Sequence, residues 1–390
     1  MKSQSLNQDK IPFNKPFLTG KETHYMYQAV LNGKISGNGE FTKKCQNFFK
    51  KEYGFKKCLL TTSCTDALEM CAMLIDVQPG DEIIVPSYTF VSTALAFVRQ
   101  GAQLVFADSR SDHPGIDEKS IEKLVTPRTK AIVPVHYAGV ACDMKVIMEV
   151  ANKYQLFVIE DAAQAIDSYY IESKKNRKAL GTIGHLSAFS FHETKNIISG
   201  EGGMLCINDE QFVERAEIIW EKGTNRAKFF RGEIDKYGWV DTGSSFLPSE
   251  IIAAFLWAQL EELDNIQSKR KTIWKAYYQE LSKYTTINFR LPVIPEYATN
   301  NAHMFYLICK NVDFRSQLIK FLKEHNVLSV FHYQSLNKSP YYRKLNDTIQ
   351  DLPNCDMYND NLIRLPFYYE LNTDEVKYIC SLVYEFDTKY

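Results

Sequence analysis

The chain has 390 residues, of which 45% are hydrophobic and 24% charged, and its formal net charge is −1. This composition is ordinary for a globular protein with a large core. The balanced charge excludes a global basic field for nucleic acid or an anionic membrane, so local groups must bind any phosphate of a ligand.

The cysteines, histidines and apolar runs argue against a metal site and a membrane anchor. The nine cysteines form no C-x-x-C pair and the eight histidines are dispersed, so we predict no metal ligands. An odd number of cysteines without a signal peptide favours free thiols in a reducing cytosol. No apolar run approaches the ~20 residues that span a bilayer. We therefore expect a cytoplasmic protein without membrane contact.

Capping and turn residues define the first elements of the chain. Residues 1–10 are polar and are expected to be loosely ordered. Thr19-Gly-Lys-Glu22 is a capping-box pattern that predicts a helix as far as about Asn32. The segment Ser36-Gly-Asn-Gly-Glu-Phe41 predicts a flexible turn.

From Lys57 to about Phe191, short Val/Ile/Leu runs alternate with longer amphipathic stretches. This alternation predicts an α/β fold, in which a mainly parallel sheet is covered by helices on both faces. The predicted strands are 58–61, 82–85, 103–106, 131–135, 157–159 and a half-apolar strand from 187. The predicted helices lie near 66–77, 90–99, 117–124 and 143–154.

The rest of the chain predicts a second, smaller unit. A strand at 204–207, a helix at 211–222 and a long apolar-periodic stretch at 248–281 complete the first unit. Pro292, Pro295 and the patch 298–301 mark a boundary. Beyond it we predict strands at 303–308 and 327–331 and helices at 313–325 and 373–386. We therefore divide the chain into a large domain, 1–290, and a small α+β domain, 291–390.

The candidate reactive group is a lysine in the segment Ser187–Gly203. The predicted strand leads into a loop with Lys195 and then into a glycine cluster, where backbone can approach a ligand closely. The apolar run Leu156–Asp161 is typical of a buried parallel strand, and it ends in an acid. Ligands of open α/β sheets bind outside the carboxyl ends of strands, so we expect Asp161 at the mouth of the site.

A lysine and a carboxylate at one sheet edge fit the needs of pyridoxal 5'-phosphate. The lysine amine can hold the cofactor aldehyde covalently, and the aspartate can pair with the pyridine nitrogen and keep it protonated. Alone, Lys195 could be a solvated residue in a turn. The strand that ends at Asp161 favours the covalent role.

Three spaced motifs resemble those of the DegT/DnrJ/EryC1/StrS nucleotide-sugar aminotransferases, and the resemblance extends over nearly the whole chain. The motifs are Ser190-Phe-His-Glu-Thr-Lys195, Glu160-Asp-Ala-Ala-Gln164 and Gly200-Glu-Gly-Gly203. The resemblance implies the fold type I aminotransferase architecture and pyridoxal phosphate as cofactor. It also implies L-glutamate and a nucleotide-linked keto sugar as substrates, and a homodimer whose sites are shared across the interface.

The resemblance also implies which residues bind the cofactor phosphate. Cys64 and Thr65 follow the first predicted strand in a hydroxyl-rich turn and match phosphate-binding positions of the family, with Cys64 in place of the usual glycine. A helix N-terminus there would supply N–H donors, although Ser63 or Thr65 could also act as an ordinary cap. Ser190 matches the family serine that binds the same phosphate.

Other matched positions concern the ring of the cofactor. Gln164 matches the residue that contacts the phenolic oxygen, and Phe90 matches the aromatic residue that stacks on the pyridine. An aromatic side chain at position 90, or Tyr88 beside it, could instead pack in the core.

Two positions depart from the family pattern. Gly243–Pro248 places Ser245 where many members have an asparagine that the partner subunit gives to the phosphate. A serine hydroxyl can also donate, so we expect Ser245 to be a cross-subunit contact. Asn337 stands where a small-domain histidine is common, which puts a substrate contact in doubt but leaves the chemistry intact.

Four further stretches, residues 135–142, 191–196, 221–226 and 302–306, resemble one subgroup of the family. That subgroup converts dTDP-4-keto-6-deoxyglucose to dTDP-4-amino-4,6-dideoxygalactose for surface polysaccharides such as lipopolysaccharide O-antigen. Lys222 and Arg226 could meet the nucleotide diphosphate, or they could be solvated charges at a helix end.

The sequence leaves three other functions open. A sugar dehydratase of the same fold is one, but the known variant has histidine in place of the lysine, so Lys195 argues against it. An aminotransferase for a 3-keto or GDP-linked sugar is the second. The third is a non-catalytic sensor, which would need neither Lys195 nor Asp161.

Overall fold

The computed structural model describes residues 10–173, 175–346 and 349–389. The prediction for residues 1–10 falls outside these ranges except at Lys10. The strands are β1 Lys57–Thr61, β2 Glu82–Pro86, β3 Gln103–Ala107, β4 Thr129–Ile132, β5 Phe157–Asp161, β6 Tyr169–Ser173, β7 Asn176–Ala179, β8 Leu186–Ser190, β9 Gly203–Ile207, β10 Phe289–Arg290, β11 Tyr306–Cys309 and β12 Leu362–Arg364.

The helices cover both faces of the main sheet and form much of the C-terminal part. They are α1 Glu22–Leu31, α2 Glu40–Tyr53, α3 Cys64–Leu74, α4 Ser92–Val98, α5 Glu118–Leu124, α6 Met144–Tyr154, α7 Val213–Trp220, α8 Arg226–Phe230, α9 Glu250–Glu261, α10 Leu263–Leu281, α11 Val312–Glu324, α12 Pro340–Leu345, α13 Pro353–Asn361 and α14 Thr373–Lys389. No helix in these ranges is both long and apolar enough to cross a membrane.

Seven strands form the main sheet in the order β1-β9-β8-β5-β4-β2-β3. The pairs from β8 to β3 are parallel, whereas β9 is antiparallel to both β1 and β8. The predicted α/β class with a mostly parallel sheet is therefore confirmed. The carboxyl ends of β5 and β8 lie side by side, because Asp161 is in register with Ala188.

The sheet strands are buried because alternate side chains enter two different cores. Leu60 of β1 and Val158 of β5 pack in one core, and their chain neighbours Leu59 and Ile159 pack in the other. All four are at most 1% exposed. Continuous apolar runs are what a sheet covered on both faces requires, which explains why these strands are visible in the sequence.

A second, antiparallel sheet in the order β10-β11-β12 lies in the C-terminal part of the chain. Helices α11 and α14 pack with it in a third core, which also contains Ile273 and Tyr277 of α10. These α10 residues precede residue 290, where we divide the chain. The division into 1–290 and 291–390 stays a prediction.

Several local predictions differ from the structure. The turn 36–41 ends early because α2 begins at Glu40. The carboxylate of Glu250 caps this helix, accepting N–H bonds from Gly39, Phe41 and Thr42 at 2.8, 2.7 and 3.1 Å. A cap from so distant a residue leaves no local sequence signal.

The prediction of a strand at 327–331 was wrong, because no regular strand forms in this segment. Only isolated bridges form there, at Val327 with Ile11 and at Val330 with Arg364. The apolar-periodic stretch 248–281 forms two helices, α9 and α10.

Candidate active site

The candidate site lies at the carboxyl ends of β5 and β8 and at the N-terminus of α3. Asp161 is the last residue of β5. Lys195 follows β8 in a turn closed by a hydrogen bond from its backbone N–H to the carbonyl of His192, 2.9 Å. The structure thus brings together the two residues that the sequence predicts as the reactive pair.

Asp161 is buried, 5% exposed, and has two hydrogen-bond donors. Thr93 Oγ1 donates to its Oδ2 at 2.6 Å, and the backbone N–H of Ala163 donates to its Oδ1 at 3.1 Å. Burial raises the pKa of this carboxyl, while both donors and the charges of Lys195 and His136 counteract the rise. A cation against Asp161 would therefore stabilise its ionised form further.

The side chain of Lys195 is half-buried on the loop after β8. Burial lowers the pKa of its amine, and Cys64 and Asp161 raise it. The positive charge of Arg364 also lowers the pKa of Lys195. A lysine whose pKa is lowered is more often neutral and nucleophilic at physiological pH, which is what covalent attachment to an aldehyde requires.

The phosphate cup predicted from the sequence lies at the N-terminus of α3. Ser63 caps the helix by accepting the backbone N–H of Asp66 at 3.0 Å, so Cys64 and Thr65 are its first residues. A Cβ added to Gly203 would lie 2.4 Å from the backbone nitrogen of Cys64, so only glycine fits there. The cup fits a phosphate because the first N–H groups of an 11-residue helix point into it.

The side chains at the cup are small and uncharged. Burial raises the pKa of the Cys64 thiol, which is therefore neutral. The hydroxyl of Thr65 shares a hydrogen bond with that of Ser92 at 2.7 Å. Ser190 is half-buried at the end of β8 and is in register with Gly203, which is in turn paired with Thr61 of β1. Cys64 and Thr65 therefore follow β1 and Ser190 ends β8, and these two strands lie on either side of β9, which begins at Gly203.

Gln164 is buried and held at both ends of its amide. Its Oε1 accepts the backbone N–H of Ala138 at 2.6 Å, and its Nε2 donates to the hydroxyl of Tyr333 at 2.9 Å. Phe90 is 56% exposed, and its ring lies 6.0 Å from that of Tyr333. An exposed ring at the mouth of the site favours stacking on a ligand over core packing, whereas Tyr88, 1% exposed, packs in the core.

Ser245 lies on the surface of the chain. Its backbone forms an isolated bridge with Glu221, and its side chain is exposed. The adjacent Phe246 carbonyl accepts the backbone N–H of Thr62 at 3.0 Å, so the segment is attached to the cup of its own chain. The cross-subunit role of Ser245 stays a prediction.

Of three other positions considered from sequence, two have side-chain partners within the chain and one is exposed. Asn337 is buried: its Oδ1 accepts the Ser87 hydroxyl at 2.9 Å and its Nδ2 donates to the Gln350 carbonyl at 2.9 Å. Arg226 pairs with Glu221 at 3.0 Å, while Lys222 is exposed with a φ of 65°. Asn337 is therefore a structural link rather than a group open to substrate.

A buried ion pair behind the site has no counterpart in the sequence analysis. His136 Nε2 lies 2.8 Å from Glu160 Oε2. The carboxylate of Glu160 also accepts backbone N–H groups of Gly181, Ile183 and Gly184 at 2.6 to 2.7 Å. Burial lowers the pKa of His136, but the contacts with Cys142 and Glu160 raise it above its ordinary value.

Sequence reasoning also missed a set of side chains near the lysine that come from distant parts of the chain. Tyr137 and His332 share a hydrogen bond of 2.5 Å, and the rings of His332 and Tyr333 stack at 3.6 Å. Arg364, at the end of β12, acts electrostatically on Lys195. His332 and Arg364 lie outside the motifs, so only the fold identifies them.

Comparison with known proteins finds one family model and full-length relatives. The model described as the DegT/DnrJ/EryC1/StrS aminotransferase family matches residues 18–384. Spore coat polysaccharide biosynthesis protein SpsC of Bacillus subtilis is 31% identical over 386 residues, which cover 96% of each chain. GDP-perosamine synthase of Escherichia coli O157:H7 is 29% identical over 377 residues, covering 96% of this chain and 98% of the relative.

Solved structures of sugar aminotransferases have the same fold. The sugar aminotransferase Spr1654 of Streptococcus pneumoniae, solved in its PMP form, superposes with a TM-score of 0.89 at 25% identity, covering 97% of this chain and 99% of that one. PseC of Helicobacter pylori, an aminotransferase of pseudoaminic acid biosynthesis, also gives 0.89 at 25% identity, covering 98% and 100%.

Proposed function

This chain belongs to the DegT/DnrJ/EryC1/StrS aminotransferase family, and from that premise we propose that it aminates dTDP-4-keto-6-deoxy-D-glucose. The amino group comes from L-glutamate, and the products are dTDP-4-amino-4,6-dideoxy-D-galactose and 2-oxoglutarate. The family and the relatives establish the general activity. The chain is a pyridoxal phosphate-dependent sugar aminotransferase of nucleotide-sugar or polysaccharide biosynthesis.

The observation that carries the proposal is that Asp161 ends β5 and Lys195 follows the end of the adjacent strand β8, at one edge of the sheet. Each charge acts on the other: Asp161 raises the pKa of Lys195, and Lys195 lowers that of Asp161. A carboxylate for the ring nitrogen and an amine for the aldehyde are the two groups this cofactor requires. When bound, pyridoxal phosphate stabilises the negative charge on the carbon that loses its proton.

Each residue has a proposed role. Asp161 binds the ring nitrogen and stays ionised, because the protonated nitrogen opposes the effect of burial. Lys195 would hold the cofactor aldehyde covalently, and its amine, when free, would act as the base that moves a proton at the amino-donor carbon. Gln164 binds the phenolic oxygen, and Phe90 covers the ring.

The phosphate is proposed to bind at the start of α3. The backbone and side chains of Cys64 and Thr65 and the hydroxyl of Ser190 donate to it, and the helix dipole favours its charge. Ser245 donates to the same phosphate from the partner subunit of a homodimer. We propose that the enzyme acts in the cytoplasm.

The choice of sugar is supported by the four stretches that resemble the dTDP-4-amino-4,6-dideoxygalactose subgroup, residues 135–142, 191–196, 221–226 and 302–306. A second candidate is a GDP-linked 4-keto sugar, because one full-length relative is a GDP-perosamine synthase. Both candidates use the same cofactor chemistry and differ only in the nucleotide and in the configuration of the ring.

The test incubates the enzyme and L-glutamate with each of three substrates: dTDP-4-keto-6-deoxyglucose, GDP-4-keto-6-deoxymannose and a dTDP-linked 3-keto sugar. We expect 2-oxoglutarate to form fastest with the first. NMR of that product should show an axial amine at C4, the galactose configuration. Faster turnover of either of the other sugars, or an equatorial amine at C4, would refute the assignment of substrate.

A further inference from the structure

Arg364 ends β12 and reaches toward the site from the small sheet. Its backbone is fixed by two hydrogen bonds with Val330, of 2.8 and 3.1 Å. Its guanidinium lies over the ring of Phe13, 4.7 Å from the centroid, and its Nη2 donates only a long bond of 3.4 Å to the carbonyl of Phe331. The Nε–H group is buried and has no hydrogen-bond partner in the described part of the chain.

This arginine also has no acidic partner within the described ranges, since no ion pair between those residues includes it. Arg270, which is buried, shows the usual solution: its Nε and Nη2 donate to the carbonyls of Ala302 and His303 at 3.1 and 2.7 Å. A buried cationic donor without a partner is unfavourable. Arg364 is therefore suited to an anion that comes from outside the chain.

The position of Arg364 relates it to the reacting amine. Burial lowers the pKa of the Lys195 amine and that of the His332 ring. The positive charge of Arg364 lowers both pKa values further. Tyr333, whose hydroxyl accepts a hydrogen bond from Gln164, lies two residues after the carbonyl that accepts the Nη2 bond. The guanidinium therefore lies beside the segment 331–333, which contacts a proposed ligand of the cofactor ring.

We propose that Arg364 binds the α-carboxylate of the amino donor, an inference that rests on the proposed transamination. In an amino acid, the α-carboxylate is bonded to the carbon whose amine must displace Lys195, so its counter-charge must lie near this lysine. The diphosphate of a nucleotide sugar lies across the sugar ring from a reacting C4. The planar guanidinium matches a carboxylate with two parallel hydrogen bonds.

The test uses the holoenzyme of the wild type and of the variants Arg364→Met, Arg364→Lys and Arg290→Met. Arg290 is the matched control, because it is an exposed arginine of the same small sheet, on β10. The donor half-reaction is followed without any sugar, from the change in cofactor absorbance as L-glutamate is added. Calorimetry measures the binding of glutarate, a dicarboxylate that has no amine and cannot react.

We expect Arg364→Met to raise the half-saturating glutamate concentration and the glutarate Kd by about 10- to 100-fold, the usual effect of losing a charge-assisted pair. Arg364→Lys should fall between this variant and the wild type, because it keeps the charge and loses the planar fork. Arg290→Met should match the wild type. The KM for the keto sugar should change by less than about twofold in every variant.

Two results overturn the inference alone: glutamate and glutarate binding that is unchanged in Arg364→Met, or a rise confined to the KM of the keto sugar, which would assign the arginine to the diphosphate. A wild-type holoenzyme that does not react with L-glutamate overturns the proposed function, and the inference falls with it.

Discussion

Replacing Thr93 with valine tests how the site keeps Asp161 ionised. The two side chains have nearly the same shape, so the substitution removes one hydroxyl that donates to the carboxylate at 2.6 Å. A buried hydrogen bond to a charged group contributes about 1.5 to 3 kcal/mol. Burial raises the pKa of Asp161 and Thr93 lowers it, so the variant should raise this pKa further.

The expected result is a weaker and more pH-dependent site. A protonated Asp161 cannot pair with a protonated ring nitrogen, so the Thr93→Val variant should bind pyridoxal phosphate about 10- to 100-fold more weakly. The deficit should be largest near pH 6 and should shrink as rising pH ionises the carboxyl. Titration of the cofactor-free protein between about pH 6 and 9 measures the Kd values.

Thr93→Ser is the control, because it keeps the hydroxyl. Thr89 shares a 2.9 Å hydrogen bond with Thr93 and loses this partner only in the valine variant, so the free energy of unfolding must be measured for both. Equal cofactor Kd values for the two variants at every pH would refute the argument that Thr93 keeps Asp161 charged.

Three more substitutions test the cup, the lysine and the ring. Gly203→Ala places a Cβ against the backbone of the cup. It should lower the free energy of unfolding by about 1 to 3 kcal/mol and weaken cofactor binding. The control Gly238→Ala, whose Cβ meets no atom within 4 Å, should have neither effect. Lys195→Met should stabilise the cofactor-free protein at pH 7 by about 1 to 2 kcal/mol, because burial lowers this pKa. This gain in stability should vanish as the pH rises toward the pKa that Lys195 has in the unfolded chain. Denaturant unfolding at pH 7 and at a higher pH measures the gain. A lower free energy of unfolding for the variant at pH 7 would contradict the prediction. Phe90→Ala should weaken cofactor binding with little change in the melting temperature, whereas Tyr88→Ala should lower the free energy of unfolding by about 3 to 5 kcal/mol. A larger loss of stability in Phe90→Ala than in Tyr88→Ala would mean that Phe90 is a packing residue.

The positions of Asp161 and Lys195 at one sheet edge could be predicted from sequence because their signals are local. Asp161 ends a continuous apolar run, and Lys195 lies between a strand and a glycine cluster. Both patterns follow from a parallel sheet whose strands are buried on two faces. The cup was visible for the same reason, since its hydroxyl-rich turn directly precedes the apolar-periodic helix α3.

Partners distant in sequence could not be predicted. Thr93 binds Asp161 from 68 positions away, and on α4 its hydroxyl looks like that of any helical threonine. The strand β12 that carries Arg364 has three residues, too few to show a period. The start of α2 depends on the carboxylate of Glu250, more than 200 residues away.

The most direct test of the central claim is to reduce the holoenzyme with borohydride, which fixes the cofactor to the amine that holds it, and to locate the modified residue by peptide mass spectrometry. The account predicts one phosphopyridoxyl group, on Lys195, and neither the label nor turnover in Lys195→Ala. A label on another lysine, or near-normal turnover in the alanine variant, would contradict it.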